Sequence, residues 1–192
     1  MVIGILGLQG CVAPHHKKLA ALGVTEIRRV IYPHDLDGVD GLIMPGGEST
    51  TMIKTAKDGL WDALVEFGQA RTVWGICAGS ILMAKKVEHP AQASLGLMDM
   101  SISRNAYGSQ IDSFIAKIPM NLGGEEISES CIFIRAPRIL SVGESVRIVA
   151  EHAGSAIMVE SDRHLATTFH PELSDSDRLH AYFLDKVKAQ NG

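Results

Sequence analysis

Short apolar runs that alternate with amphipathic helical patterns constrain the fold of this 192-residue chain more than any other feature. In its first half, four runs have strand character and three segments have helical spacing. The strands are residues 2–8, 26–31, 41–44 and 72–76, and the helices are residues 15–22, 60–69 and 78–86. Such alternation builds parallel strands joined by helices that cover both faces of the sheet. The sequence therefore predicts an α/β fold with a mostly parallel central sheet.

The second half of the chain has a different pattern, with short β-like runs between glycine, asparagine, serine and proline. These runs are residues 98–103, 131–135, 146–151, 156–160 and 164–169. They predict an antiparallel extension of the same sheet. A final helix is predicted over residues 174–189, with Ser174 as its cap and a buried stripe of Leu179, Tyr182, Phe183 and Val187. We expect a single domain over residues 1–192 because no linker or repeat interrupts this pattern.

Composition restricts the class of partner. The formal net charge is -4, and the lysines and arginines are scattered, which favours a small metabolite or a protein over nucleic acid or a membrane surface. No apolar stretch has membrane-spanning length. The three cysteines, Cys11, Cys77 and Cys131, are too few for a disulfide framework, so a cytoplasmic location is expected.

Cys77 occupies the position of a nucleophile in a strand-to-helix elbow. It follows the apolar run at residues 72–76 and lies between Gly75 and Gly79. Glycines are needed there because the sharp turn leaves no room for side chains on either side of the nucleophile. The start of a helix also stabilises negative charge, as a thiolate requires. A cysteine that serves only as a small buried apolar side chain is the alternative.

Two further motifs are predicted at the same edge of the sheet, beyond the carboxyl ends of the strands. One is Gln9-Gly10, and the other is the Pro-Gly-Gly-Glu-Ser loop at residues 45–49. The N–H groups of Gly47 and Ala78 would there form an oxyanion hole for a tetrahedral intermediate. The alternative for this loop is an ordinary turn that caps the next helix. Neither glycine cluster has the spacing of a dinucleotide-binding or P-loop motif.

A base and its orienting acid are predicted at His170 and Glu172. His170 follows a β-like run and precedes a proline, which favours extended backbone and a fixed ring direction. Glu172 would lie on the same side of the extended chain and set the imidazole tautomer, so that a triad with Cys77 results. A surface histidine near a helix is the alternative. We expect most of the remaining histidines to be solvated and no metal to be bound: His15, His16, His34, His89, His152, His164 and His180.

The elbow, the glycine loop and the His-Pro-Glu segment, in this order, resemble the triad class of glutamine amidotransferases. Two segments are similar to signatures of the glutaminase subunits of pyridoxal 5′-phosphate synthases. They are Arg-Asn-Ala-Tyr-Gly-Ser-Gln at residues 104–110, followed by Asp-Ser-Phe at 112–114, and Phe-Ile-Arg-Ala-Pro at 133–137. The segments at residues 6–10 and 45–51 agree with this resemblance, which extends from residue 2 to residue 183.

The resemblance implies a three-layer, flavodoxin-like class I glutamine amidotransferase fold. It also implies hydrolysis of L-glutamine to L-glutamate and ammonia without a cofactor, with Cys77 as the nucleophile, His170 as general base and acid, and Glu172 as its orienter. The glutamine would be held by Gly47, Glu48, Ser49, Arg104, Ile134 and Arg135. The ammonia would pass to a synthase subunit, and the complex as a whole would act as a lyase that makes pyridoxal 5′-phosphate.

Two rival functions remain open from the sequence. A glutaminase that serves another synthase, such as one making an imidazole or purine ring, would share the triad but not the segments at residues 104–110 and 133–137. A noncatalytic protein that uses Cys77 as a redox sensor would share the scaffold without needing His170 aligned with Glu172. We also hypothesise that the site is incomplete until a partner docks, with the Gly46–Gly47 peptide as the switch.

Overall fold

The computed structural model describes residues 1–104 and 113–192. In these residues the strands are β1 (Val2–Leu6), β2 (Glu26–Val30), β3 (Gly41–Met44), β4 (Thr72–Ile76), β5 (Ala84–Glu88), β6 (Met98–Ser103), β7 (Phe114–Leu122), β8 (Glu125–Phe133), β9 (Arg138–Val142), β10 (Arg147–His152), β11 (Ser155–Glu160) and β12 (Leu165–Thr167). The α-helices are α1 (Val12–Ala21), α2 (Ser49–Thr55), α3 (Leu60–Ala70), α4 (Ala78–Met83) and α5 (Arg178–Asn191). Short 3₁₀ turns span Pro33–Leu36 and Pro171–Leu173.

A seven-stranded sheet in the order β10-β11-β12-β4-β3-β1-β2 forms the centre of the described structure. The five strands from β12 to β2 are parallel to their neighbours, whereas β11 and β10 are added antiparallel. The inner strands β3 and β4 are buried along their whole length. Continuous apolar runs of this kind suit strands that are covered on both faces. The predicted α/β fold with a mostly parallel sheet and an antiparallel extension is confirmed.

Two clusters of buried apolar residues separate the sheet from the helices and define three layers. Successive residues of β3 belong to opposite clusters, because side chains alternate between the faces of a strand: Leu42 and Met44 lie in one, and Ile43 lies in the other. The first cluster includes apolar residues of α2, α3 and α4, and the second includes those of α1 and α5. The site-forming ends of the parallel strands lie between these two layers of helices.

The middle of the chain differs from the prediction in how its strands associate. The helix predicted over residues 78–86 ends at Met83, and Ala84 begins β5, which pairs with β6. Strands β5, β6 and β9 form a separate three-stranded sheet, and β7 and β8 form a long hairpin. Only β10, β11 and β12 extend the central sheet. The prediction that all β-like runs extend one sheet was therefore wrong, because strand partners are chosen by contacts distant in sequence.

The C-terminal helix begins later than predicted. Asp177, not Ser174, is the residue at its N-cap, and Ser174 instead ends the turn Pro171–Leu173, where its hydroxyl donates to the carbonyl of Pro171 at 3.0 Å. The helix buries Leu179, Phe183 and Val187 as predicted, and half-buried Tyr182 packs beside them. No helix in the described part of the chain is long and apolar enough to cross a membrane.

Candidate active site

Cys77 lies at the elbow between β4 and α4. Its backbone has φ 49° and ψ -102°, a conformation that residues with a side chain adopt rarely and that recurs at functional turns. A Cβ atom at Gly79 would overlap the carbonyl oxygen of Met44, and one at Gly75 would lie 2.7 Å from the carbonyl carbon of Gly79. The two flanking glycines are therefore required by close backbone packing, as the elbow pattern predicted.

The elbow is tied to the strand that leads to His170. The Cys77 N–H donates to the carbonyl of Thr167, the last residue of β12, at 2.8 Å. His170 itself donates its N–H to the carbonyl of Ile132 at 2.8 Å, which anchors it against the end of β8. Because β12 lies directly beside β4 in the sheet, two segments far apart in sequence bring Cys77 and His170 to the same edge.

The imidazole of His170 is held by Glu172. Its Nδ1 lies 2.7 Å from Glu172 Oε1, and both side chains are buried. Burial by itself lowers the pKa of His170, but Cys77 and the Glu172 carboxylate favour the charged ring and raise the pKa to about 10. The contact forms across a 3₁₀ turn at Pro171–Leu173, so the predicted extended path between the two residues was wrong although their pairing was correct.

The Pro-Gly-Gly-Glu-Ser loop follows β3 and packs directly against the imidazole. A Cβ atom at Gly46 would overlap Cε1 of His170, so this position needs glycine. The Gly46 carbonyl accepts from the N–H of Cys11 at 3.2 Å, and the side chain of Gln9 accepts from the N–H of Glu48 at 2.6 Å. The three motifs predicted to converge at the ends of β1, β3 and β4 do so. Gln9 therefore holds this loop in place. The predicted site residues did not include Gln9, although its position after β1 had indicated that it lies at this edge of the sheet.

The two residues predicted to form an oxyanion hole follow neighbouring parallel strands. Gly47 lies in the exposed part of the loop after β3, and Ala78 is the first residue of α4 and is buried beside Cys77. Both lie at the carboxyl edge of the sheet, on the side that carries Cys77 and His170. The geometry is compatible with the predicted pair of N–H donors, which stays a prediction.

Glu48 and Arg104, both predicted to bind glutamine, contact one another. Arg104 Nη2 lies 3.3 Å from Glu48 Oε1, and the same carboxylate caps α2 by accepting from the N–H groups of Thr50 at 3.3 Å and Thr51 at 2.8 Å. The hydroxyl and N–H donors of these threonines lower the pKa of Glu48 to about 2. Glu48 is therefore negatively charged at neutral pH and caps α2, while half of its side chain remains exposed.

The remaining predicted binding residues surround the same edge. Ser49 is buried and donates its hydroxyl to Gln92 Oε1 at 3.0 Å. Ile134 and Arg135 are exposed just beyond Ile132, whose carbonyl anchors His170, and Arg135 has a positive φ of 46°. Among the hydrogen bonds and ion pairs of the described residues, none joins Ile134 or Arg135 to Glu48 or Arg104. The motif at residues 104–110 and the start of that at 112–114 lie mostly outside the described residues, since 105–112 are not described.

Three of the seven histidines, most of which were expected to be solvated, are buried. His15 and His180 have no exposed surface, and His164 is 6% exposed. His164 Nδ1 accepts from the N–H of Val73 at 3.2 Å, and burial lowers the pKa of His164 to about 4. The prediction was that most of the seven are solvated: His16, His34 and His89 are exposed and His152 is half-buried, whereas these three are buried by residues distant in the sequence.

Comparison with known proteins decides the family. Residues 5–189 match the SNO glutamine amidotransferase family. The chain belongs to this family. A protein of Thermotoga neapolitana, named pyridoxal 5′-phosphate synthase subunit PdxT, is 48% identical over 98% of this chain and 100% of its own length. The protein of the same name from Brevibacillus brevis is 44% identical over 98% of both chains.

Solved structures agree with this assignment. A crystal structure described as a glutamine amidotransferase superposes with a TM-score of 0.88 at 36% identity, over 98% of this chain and 100% of that one. A Thermoplasma acidophilum protein described as a putative GMP synthase component has a TM-score of 0.73 at 17% identity, over 100% of this chain and 96% of that one, and shows the shared fold alone. The resemblance found in the sequence motifs is confirmed at the level of the family.

Proposed function

We propose that this chain is the glutaminase subunit of a pyridoxal 5′-phosphate synthase and that Cys77, His170 and Glu172 are its catalytic triad. The observation that carries the proposal is the buried 2.7 Å contact between His170 Nδ1 and Glu172 Oε1. Cys77 and this carboxylate together raise the pKa of the His170 imidazole to about 10. A base aligned by an acid and placed beside a thiol is the arrangement that nucleophilic catalysis requires. Family membership and the PdxT relatives supply the substrate class.

In the proposed reaction, the thiolate of Cys77 attacks the side-chain amide carbon of L-glutamine. The N–H groups of Gly47 and Ala78 stabilise the oxyanion of the tetrahedral intermediate. The imidazolium of His170 then gives its proton to the amide nitrogen, the C–N bond breaks, and ammonia leaves behind a thioester. His170 takes a proton from water as the water attacks this thioester. The C–S bond then breaks, which releases L-glutamate and restores the Cys77 thiolate beside the His170 imidazolium.

Recognition of free glutamine requires a cation for its α-carboxylate and an anion for its α-ammonium group. We assign the first role to Arg104 and Arg135, since a guanidinium binds a carboxylate with two parallel donors. The exposed part of the Glu48 carboxylate takes the second role. Ser49, Ile134 and the Gly47 backbone complete the pocket.

The proposed partner is the synthase subunit that consumes the ammonia, in a hetero-oligomer in the cytoplasm. The Gly46–Gly47 peptide is held by the hydrogen bond from Cys11 to Gly46, and we propose that docking rotates this peptide to complete the oxyanion hole. Glutaminase activity is then higher with the synthase subunit than without it. Equal rates in the two conditions would dismiss the switch but leave the triad assignment standing.

The proposed function is tested by measuring glutamate release from glutamine in the presence of the synthase subunit. We expect Cys77→Ala to lose activity by at least about 1,000-fold because the nucleophile is removed. The control is Cys131→Ala, because burial raises the pKa of Cys131 to about 12 and keeps it an unreactive thiol in β8. Full activity in Cys77→Ala would end the triad assignment. Formation of pyridoxal 5′-phosphate from glutamine by the mixed subunits separates this function from a glutaminase for another synthase.

A further inference from the structure

A chain of buried polar groups continues behind Glu172, on the side away from His170. The second carboxylate oxygen, Oε2, lies 3.7 Å from Nε2 of His15, and both side chains have no exposed surface. The other ring nitrogen of His15, Nδ1, lies 2.9 Å from Nε2 of His180 in α5. The line Glu172, His15, His180 thus joins the triad to two helices, α1 and α5.

Buried polar groups that lack hydrogen-bond partners destabilise a protein core, so their presence here indicates a role other than packing. Within the described residues, the buried side-chain atoms without a hydrogen-bond partner include Glu172 Oε2, His15 Nε2, His180 Nδ1 and Trp74 Nε1. Each such atom destabilises the folded chain relative to one that has a hydrogen-bond partner. Trp74 packs edge-on against His180 at a centroid distance of 5.0 Å and fixes the plane of that ring. Apolar residues of similar size would fill this space at lower cost.

The protonation pattern follows from burial and from the two short contacts. Burial lowers the pKa of His180 to about 3, and burial together with His180, His170 and Lys18 holds the pKa of His15 well below its usual value, so both rings are neutral at pH 7. Two neutral rings share one proton between His15 Nδ1 and His180 Nε2. A proton donated by His180 leaves the other His15 nitrogen, Nε2, as N–H facing the carboxylate. The opposite tautomer would point a lone pair at a negative oxygen.

We propose that His15 is a positioning residue of the triad: its Nε2–H holds Oε2 of Glu172 while Oε1 accepts the hydrogen bond from Nδ1–H of His170, and His180 fixes the tautomer of His15. The distance of 3.7 Å is longer than a formed hydrogen bond, and a closure of about 0.8 Å would complete it. Catalytic hydrogen bonds are often long in unliganded enzymes and shorten in the complex with substrate. This inference rests on the proposed function, because His15 would act only through Glu172 of the proposed triad.

The matched variants His15→Gln and His15→Asn separate positioning from packing. The amide nitrogen of Gln reaches about the place of Nε2 and can donate to Glu172, whereas the shorter Asn ends near Nδ1 and keeps only a contact with His180. With the synthase subunit present, we expect Asn to lower kcat by about 10–100-fold, the range found when groups that orient a functional side chain are removed. Gln should stay within about threefold of the wild type, and KM should change little in either because neither variant removes a substrate contact.

A double-mutant cycle and the wild-type protein supply the decisive readouts. In a Glu172→Ala background, Gln and Asn at position 15 should give the same kcat. The carboxylate that only Gln can contact is then absent. In ¹⁵N-histidine NMR spectra of the wild type at pH 7, Nε2 of His15 should carry the proton and Nδ1 should not, a result that does not depend on how the variants fold.

Three outcomes would overturn the inference: equal kcat for the Gln and Asn variants, a difference between them that persists without Glu172, or a His15 ring protonated at Nδ1. All three leave the glutaminase proposal intact when the wild type releases glutamate and Cys77→Ala does not. A wild-type complex that releases no glutamate would overturn both proposals.

Discussion

At the scale of single residues, the site depends on positions where a side chain is absent. Gly46, Gly75 and Gly79 let the loop after β3, the end of β4 and the start of α4 approach each other more closely than any Cβ atom permits. This packing directs Cys77 toward His170. The backbone of Cys77 has a positive φ, which the neighbouring segments must maintain. The chemistry proposed for the sulfur therefore depends on its glycine neighbours as much as on the triad.

Gly46→Ala should move the imidazole without unfolding the chain. The added methyl group would overlap Cε1 of His170, so the ring must shift by a large fraction of an ångström. We expect kcat for glutamate release to fall about 100-fold, the cost typical of a misplaced catalytic group. The control is Gly154→Ala, where φ is 74° but the space is open: it should lose stability by about 1 kcal/mol and keep its kcat. Wild-type kcat in Gly46→Ala would refute this packing argument.

Part of the site could be predicted at this scale. Cys77, His170 and Glu172 stand in motifs whose local geometry is encoded by adjacent glycine and proline. His15 carries no such signal, because its burial against Glu172 depends on how α1 meets the turn Pro171–Leu173. The same holds for the contact between Glu48 and Arg104, which join elements distant in the chain.

At the scale of elements, α2 is a short helix whose start is fixed by Glu48, a residue proposed to bind the substrate. The Glu48 carboxylate satisfies two N–H groups of its first turn, which otherwise lack partners within a helix. A short helix gains little from its own hydrogen bonds and needs such support. The loop after β3 and the helix that follows it are thus stabilised by the same side chain that is proposed to meet the substrate.

Glu48→Ala should destabilise the chain by about 1 kcal/mol, the usual cost of losing an N-cap side chain. Glu48→Asp is the matched comparison, since aspartate also caps helices but is too short to keep the same contact with Arg104. We expect Asp to stay within about 0.5 kcal/mol of the wild type in urea denaturation. A Glu48→Ala protein as stable as the wild type would show that the cap contributes nothing measurable.

The elements that the sequence placed correctly are those whose pattern is local. Strands β3 and β4 were predicted with the bounds that the structure gives them, because each is a short apolar run followed by a turn, at Pro45-Gly46-Gly47 after β3 and at Cys77 after β4. Residues 84–86 were assigned to a helix, but Val87 pairs with Ile102 and the segment becomes β5. Pairing with a distant strand outweighs a weak helical preference.

At the scale of the whole molecule, buried neutral histidines make the fold sensitive to acid. Burial lowers the pKa of His164 to about 4 and that of His180 to about 3, and it also lowers the pKa of His15. The unfolded chain binds protons at these residues below about pH 6.5, whereas the folded chain does not until a much lower pH. Their contribution to stability is therefore complete above pH 6.5 and is lost as the pH falls toward 4.

The free energy of unfolding should accordingly fall between pH 7 and pH 5, by up to about 1.4 kcal/mol per pH unit for each such histidine. The variant His164→Gln removes one of them, in a place away from the proposed triad. We expect it to be less stable at pH 7 but to lose about 1–2 kcal/mol less than the wild type over this interval. Urea denaturation at several pH values measures both quantities, and parallel curves for the two proteins would contradict the assignment.

The convergence of the site is also a property of the whole molecule. Cys77 and His170 lie at the same edge of the sheet because β12 lies between β4 and β11. No single segment of the sequence determines this strand order. The sequence placed the motifs at the carboxyl edge of a parallel sheet, which sufficed to bring them together in outline. The separate sheet of β5, β6 and β9 and the hairpin of β7 and β8 were not predicted, because their strand pairing depends on contacts between distant segments.

The most direct test of the central claim is to map where a glutamine analogue with an electrophilic ketone attaches to the protein assembled with the synthase subunit. We predict one covalent adduct, on the peptide that contains Cys77, whose formation is slowed by free glutamine and abolished in His170→Asn. The measurement distinguishes between three possible sites of attachment, since Cys11 and Cys131 are also free thiols. Labelling of Cys11 or Cys131 in place of Cys77, or labelling of Cys77 that glutamine does not slow, would contradict the account.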